Sequence, residues 1–114
     1  MAKNYVQEGD YITLTAPAGG INSGDPILVG NTFGVAMTTA PAGADVEAGT
    51  EGVWDLPSAG AINVNAAVYW DAVAKKITAT AHLNYLVGVA LLAVGGGGTL
   101  CRLRLNGVAT FAAA

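Results

Sequence analysis

The sequence predicts an all-β protein: a small β-barrel or β-sandwich of about nine short strands with an extended N-terminal arm. Three observations carry this. Apolar and polar residues alternate with a period of two in short runs, the period of a strand with one buried face. The 114 residues include 16 Gly and 4 Pro, which punctuate those runs as turns. No segment of helix length shows a 3.6-residue period. The expected organisation is an arm over residues 1–9, one β domain over 10–107, and a frayed Ala-rich tail over 108–114.

Asp10 to Thr15 alternates, with Ile12 and Leu14 on one face and Tyr11, Thr13 and Thr15 on the other. Ala16-Pro17-Ala18-Gly19-Gly20 breaks it, and Asn22-Ser23-Gly24-Asp25 is a turn cluster leading into Pro26 to Val29. Gly30-Asn31 joins that run to Thr32 to Met37 as a tight hairpin. Residues 40–49 read as a Pro/Gly/Ala loop. Thr50 to Leu56 reads as a strand with Val53 and Trp54 on opposite faces, ended by Pro57-Ser58-Ala59-Gly60. Val64 to Asp71 and Lys76 to Thr80 form a second hairpin with a longer loop. Tyr85 to Leu92 is almost continuously apolar, so both its faces require cover from the enclosing sheet or a neighbouring subunit. Thr99 to Leu105 alternates cleanly, Cys101, Leu103 and Leu105 inward and Arg102 and Arg104 outward. Gly-Val-Ala closes a hairpin at both Gly34-Val35-Ala36 and Gly88-Val89-Ala90.

The hydrophobic fraction of 53% overstates the core, because about a fifth of the residues are Ala. Each Ala methyl is worth only about 0.8 kcal/mol on burial, against roughly 1–2 kcal/mol to order each residue's backbone. A marginal monomer follows, and oligomerisation is the simplest way to bury more apolar surface. Charged residues make up 11% of the chain, against about 25% in a typical domain, which fits a surface partly covered by partners. A net charge of −3 with five basic residues argues against a nucleic-acid partner. Cys101 is the only cysteine, so no intrachain disulfide forms. The N-terminus has no apolar run of signal-peptide length, and nothing approaches the roughly 18 apolar residues of a membrane-spanning helix. The sequence thus predicts a soluble protein made in a cytoplasm, with no membrane partner.

The search for chemistry finds no catalytic, metal or cofactor residues to name. Gly95 to Gly98 is the one glycine run, but Thr99-Leu100 follows it, with neither the Lys of a phosphate loop nor a helix. His82 is the sole histidine and Cys101 the sole thiol, the latter on the predicted inner face. One His, one Cys and scattered carboxylates give no zinc or calcium spacing. Asp25 and Asp71 stand where Asp bonds its own backbone in turns. The expectation is therefore a protein that is not an enzyme and needs no cofactor.

The aromatics are the more informative residues. Tyr69 and Trp70 are adjacent on a strand and point to opposite faces, so at least one lies outside a one-sided core. Trp54, Tyr69 and Trp70 are the candidates for a subunit interface, with a second core layer as the alternative.

With these residues in view, the chain resembles the capsid decoration, or cement, proteins of tailed phages. The resemblance rests on Met1-Ala2-Lys3-Asn4-Tyr5-Val6-Gln7-Glu8-Gly9-Asp10, on Thr13 to Gly20, on Ser23 to Gly30, on Tyr69-Trp70-Asp71 with Lys75-Lys76-Ile77-Thr78, on Gly88-Val89-Ala90, and on Arg102 to Gly107. It covers about residues 1–107, and the order and spacing of these elements carry it. Such proteins have also been labelled RecA/RadA-type recombinases. This sequence has neither the phosphate loop, the helices nor the length for that reaction. The resemblance implies a structural virion protein on the outer surface of the head that stabilises the major capsid protein lattice. A homotrimer is the favoured oligomer, with a dimer as the alternative, and Lys3, Asn4, Tyr5, Val6 and Gln7 form the expected capsid-binding arm. The competing reading is a head-surface module that recognises a host surface or glycan, with Tyr69 or Trp70 as a stacking platform.

Overall fold

The computed structural model describes Asn4, residues 7–97 and residues 99–113. Among them are nine strands in two antiparallel sheets. The first sheet holds β1 (Tyr11–Thr15), β2 (Pro26–Val29), β3 (Thr32–Ala36) and β4 (Asp45–Gly49), in the order β1-β4-β3-β2. The second holds β5 (Glu51–Pro57), β6 (Ala67–Asp71), β7 (Lys76–Thr78), β8 (Tyr85–Ala90) and β9 (Leu100–Asn106), in the order β5-β9-β8-β6-β7. The second sheet curls into a half-barrel. A parallel bridge joins Ser58 to Ile77, and the Ala59 N–H donates to the Ile77 carbonyl at 2.9 Å, which brings β7 beside the end of β5.

Alternation determines what each strand buries. In β9, Cys101, Leu103 and Leu105 are at most 1% exposed, while Arg102 and Arg104 face solvent, as their spacing predicts. Ile12 and Leu14 are half-buried on the inner face of β1 and Tyr11, Thr13 and Thr15 are exposed. The inner face of the first sheet closes over Ile27, Ala36, Val46 and Ala48 together with Ile21 and Ala40 from its loops. The inner face of the second sheet packs Leu56, Val68, Ile77, Cys101 and Leu103 with Ile62 and Val94. Phe33 and Val35, from the outer face of the first sheet, join this second core. Phe33 meets Trp70 with ring centroids 5.4 Å apart.

Three elements differ from the sequence expectation. Residues 45–49, expected in a loop, form β4, because Val46 and Ala48 alternate inward between Asp45 and Glu47. The Ala-Pro-Ala-Gly-Ala run at 40–44 and the Ala-Gly at its end conceal this short strand, since β propensity depends on side chains packing against neighbours. The strand expected from Val64 begins only at Ala67, because Asn65 takes a left-handed φ of 64° in a turn. The expected frayed end is docked as far as it is described. Thr110 is 3% exposed and donates from Oγ to the Leu86 carbonyl at 2.7 Å, and Ala112 bridges to Tyr85. Asn31 anchors the same segment, accepting from the Thr110 N–H and donating from Nδ2 to the Thr110 carbonyl.

Candidate functional site

Residues that could carry chemistry are placed apart or held in turns. Cys101 is fully buried in the second core, and burial pushes its thiol above the ordinary range, the opposite of activation. His82 is exposed in the turn before β8. Asp71 accepts from the Val73 and Ala74 N–H groups at 3.0 Å each, which orders the β6–β7 loop. Asp25 accepts from the Asn22 N–H at 3.1 Å in the turn before β2. Among the described residues, no group of three or more His, Cys, Asp or Glu side chains could hold a metal ion. No helix of the described residues is long and apolar enough to cross a membrane.

What the fold presents instead is surface. Four residues line up across the outer face of the second sheet, linked by strand register: Val53 on β5, Arg104 on β9, Val89 on β8 and Ala67 on β6. All four are exposed, Val53 at 55% and Val89 at 40%. Leu86, 42% exposed, and the half-buried Tyr69 are paired on the next row. Asp55 and Arg102 flank this apolar band as a bidentate ion pair at 2.9 and 3.1 Å. The apolar run of β8 is therefore covered on its inner face only.

The three aromatic candidates separate. Trp70 is 5% exposed and belongs to the protomer core against Phe33, which removes it both as an external contact and as a stacking platform. Trp54 is half-buried, its ring lying against Gly49 and its Nε1 donating to the Glu51 carbonyl at 2.9 Å, so it holds the two sheets of one protomer together. Tyr69 alone stays on the outer face. Sequence reasoning missed Val53, Val89 and Arg104, since periodicity says that two faces exist but not which one a distant segment covers. Of the expected arm, Lys3, Tyr5 and Val6 lie outside the described residues; Asn4 and Gln7 are exposed, and Gln7 Nε2 donates to the Tyr11 carbonyl at 3.3 Å.

Comparison with protein families places the chain as a whole. The model of the phage cement protein family matches residues 6–105. The chain belongs to that family. No curated protein and no solved structure matches it. As a cement protein it is a structural, non-enzymatic component of the virion that binds capsid proteins, decorates the outer surface of the head and stabilises the capsid lattice.

Proposed function

We propose that this cement protein binds the head as a homo-oligomer, a trimer in the first instance, with Tyr69 and the apolar band of the second sheet between subunits and residues 3–7 as the capsid-binding arm. The exposed row of Val53, Arg104, Val89 and Ala67 carries the oligomer reading, because a β strand as apolar as Tyr85–Ala90 is otherwise covered on both faces. The arm precedes β1, an edge strand of its sheet, and an extended segment there can add a strand to a capsid sheet edge. Linked contacts from several subunits raise avidity by about 10²–10⁴ without any single strong site.

The test is co-sedimentation of the purified protein with undecorated heads, with and without residues 2–8. The full chain is expected to pellet with heads and the truncated chain to stay in solution at an unchanged oligomeric mass. Undiminished binding by the truncated chain overturns the arm, and a monomeric full chain overturns the oligomer.

A further inference from the structure

The two sheets are one four-stranded unit used twice. β1-β4-β3-β2 repeats as β5-β9-β8-β6, with β7 added at the far edge. The register repeats residue by residue as far as the β-bulge after Val68. Ile27 pairs with Gly34 as Val68 pairs with Gly88, and Ala36 pairs with Ala48 as Ala90 pairs with Leu103. Thr13 pairs with Glu47 as Asp55 pairs with Arg102. The loops repeat as well. Ile21 and Ala40 exchange both backbone hydrogen bonds, as do Ile62 and Val94. Gly24, at φ 89°, donates to the Ala36 carbonyl, and Asn65, at φ 64°, to the Ala90 carbonyl, each at 2.8 Å.

The repeat makes the contact between the halves informative. The first half buries the middle of its outer face on the second: Val35 is 1% exposed, Gly49 is buried under the Trp54 ring, and Phe33 lies on Trp70. The row Tyr11–Gly49–Val35–Pro26 is the register counterpart of Val53–Arg104–Val89–Ala67. In the middle of the row Gly49 and Val35 are covered while Arg104 and Val89 are bare; at its edge Tyr11 and Val53 are exposed in both halves. The end of the second half that covers it is built from Trp54, Trp70 and Leu105, whose counterparts in the first half are Ile12, Val29 and Thr50. Ile12 and Thr50 line an open cup of about 260 Å³, with Gly9, Asn31, Phe33 and Val108.

We infer that the bare outer face of the second half in one copy docks on the cup of the first half in a second copy, repeating between chains the contact made within each chain. Two observations select a second copy as the occupant. The interface continues one that the protomer already forms, with a reciprocal exchange of size: Trp54 over Gly49 inside the chain, Ile12 facing Arg104 between chains. Charge bears on it at one point: Arg104 stands in the middle of the donor face, where Asp55 is already paired with Arg102, and Glu8 and Asp10, exposed on either side of the cup-lining Gly9, are carboxylates it can meet. A contact between two different faces is head-to-tail, so it builds a closed ring or an open chain and never a two-fold dimer. In a ring, each copy contributes two similar units.

This deepens the proposed oligomer and rests on it, but not on capsid binding. Sedimentation velocity on the full chain provides the test, with Val89→Asp on the donor face and Ile12→Asp in the cup. Because Ile12 is half-buried, Val29→Asp is made in parallel. Val29 is exposed and pairs with the cup-lining Thr32. Each variant, checked for folding by circular dichroism, is expected to sediment as a monomer. Val89→Asp retains a sound cup and a folded cup variant a sound donor face, so their mixture is expected to form a one-to-one dimer that grows no further. Persistence of the oligomer in Val89→Asp, or in both cup variants, overturns the head-to-tail contact while leaving an oligomer in place. A monomeric wild-type chain overturns this inference together with the oligomer.

Discussion

Gly34 and Gly88 stand at the same position in the two sheets, each held against the backbone of the strand beside it. A Cβ on Gly34 would lie 2.8 Å from the Gly49 carbonyl oxygen, and one on Gly88 would meet the Arg104 carbonyl oxygen still more closely. Neither residue has the left-handed φ that would itself require glycine. The requirement is room for the neighbouring strand, and the obstacle is backbone, which moves less readily than a side chain.

Gly34→Ala and Gly88→Ala should therefore each destabilise the fold by about 1–3 kcal/mol or more, the range for forcing extra atoms into a packed site. Gly88→Ala should be the more damaging. Urea denaturation followed by tryptophan fluorescence measures both; a Gly88→Ala protein as stable as the parent would show that β8 and β9 can separate without cost.

Ser58 is 2% exposed, and its Oγ has no hydrogen-bond partner among the described residues. Its counterpart in the first half is Ala16, which donates its N–H to Ala44 as Ser58 donates to Thr99. An unmet buried hydroxyl costs about 1–3 kcal/mol, so Ser58→Ala should raise stability by about 1 kcal/mol. A loss on the same denaturation curve would mean that the hydroxyl is bonded in solution.

Thr110 ties the C-terminal segment to both halves through Asn31 and Leu86. Thr110→Val keeps the shape and removes the hydroxyl, leaving the Leu86 carbonyl short of one donor. A loss of about 1–2 kcal/mol is expected, with earlier proteolysis after residue 107. Unchanged protease sensitivity would indicate that the segment is held by its backbone bonds alone.

The hydrogen bond from Arg102 holds the Asp55 carboxyl below the ordinary carboxylate range, and Arg102 is raised in turn. The unfolded chain then binds the Asp55 proton at a higher pH than the folded one, so the contribution of the pair is complete above an unfolded value of about 3.9. It is lost as pH falls through the lowered folded value. The pair lies on the surface, so the effect is small and screened by salt. Unfolding midpoints of wild type and Asp55→Asn should converge at acidic pH and in high salt; a difference that persists at low pH would assign it to something other than ionisation.

The alternation of Thr99 to Leu105 is local, and it settled the inner and outer faces of β9 before any partner strand was known. Asp25 and Asp71 were equally legible as turn residues, because an Asp bonds backbone within three positions of itself. β4 was not, since a five-residue strand set among Pro, Gly and Ala is defined by the strands that pair with it. The duplication left only traces: Ile21-Asn22 and Ile62-Asn63 are 41 residues apart, whereas Gly34-Val35-Ala36 and Gly88-Val89-Ala90 are 54 apart. The β6–β7 hairpin and its neighbouring loops break the constant period that a sequence comparison needs.

By itself the sequence determined the class of the protein: short alternating strands between glycine turns, no cluster of reactive side chains, and a family pattern running almost the whole length. Only the tertiary structure decided which of two equivalent faces is covered. Trp54 and Trp70 close over the first sheet and leave Val89 bare, although Val35 and Val89 stand in the same three-residue phrase. That difference comes from contacts between residues far apart in the chain, and a strand's own sequence carries no record of what packs against it.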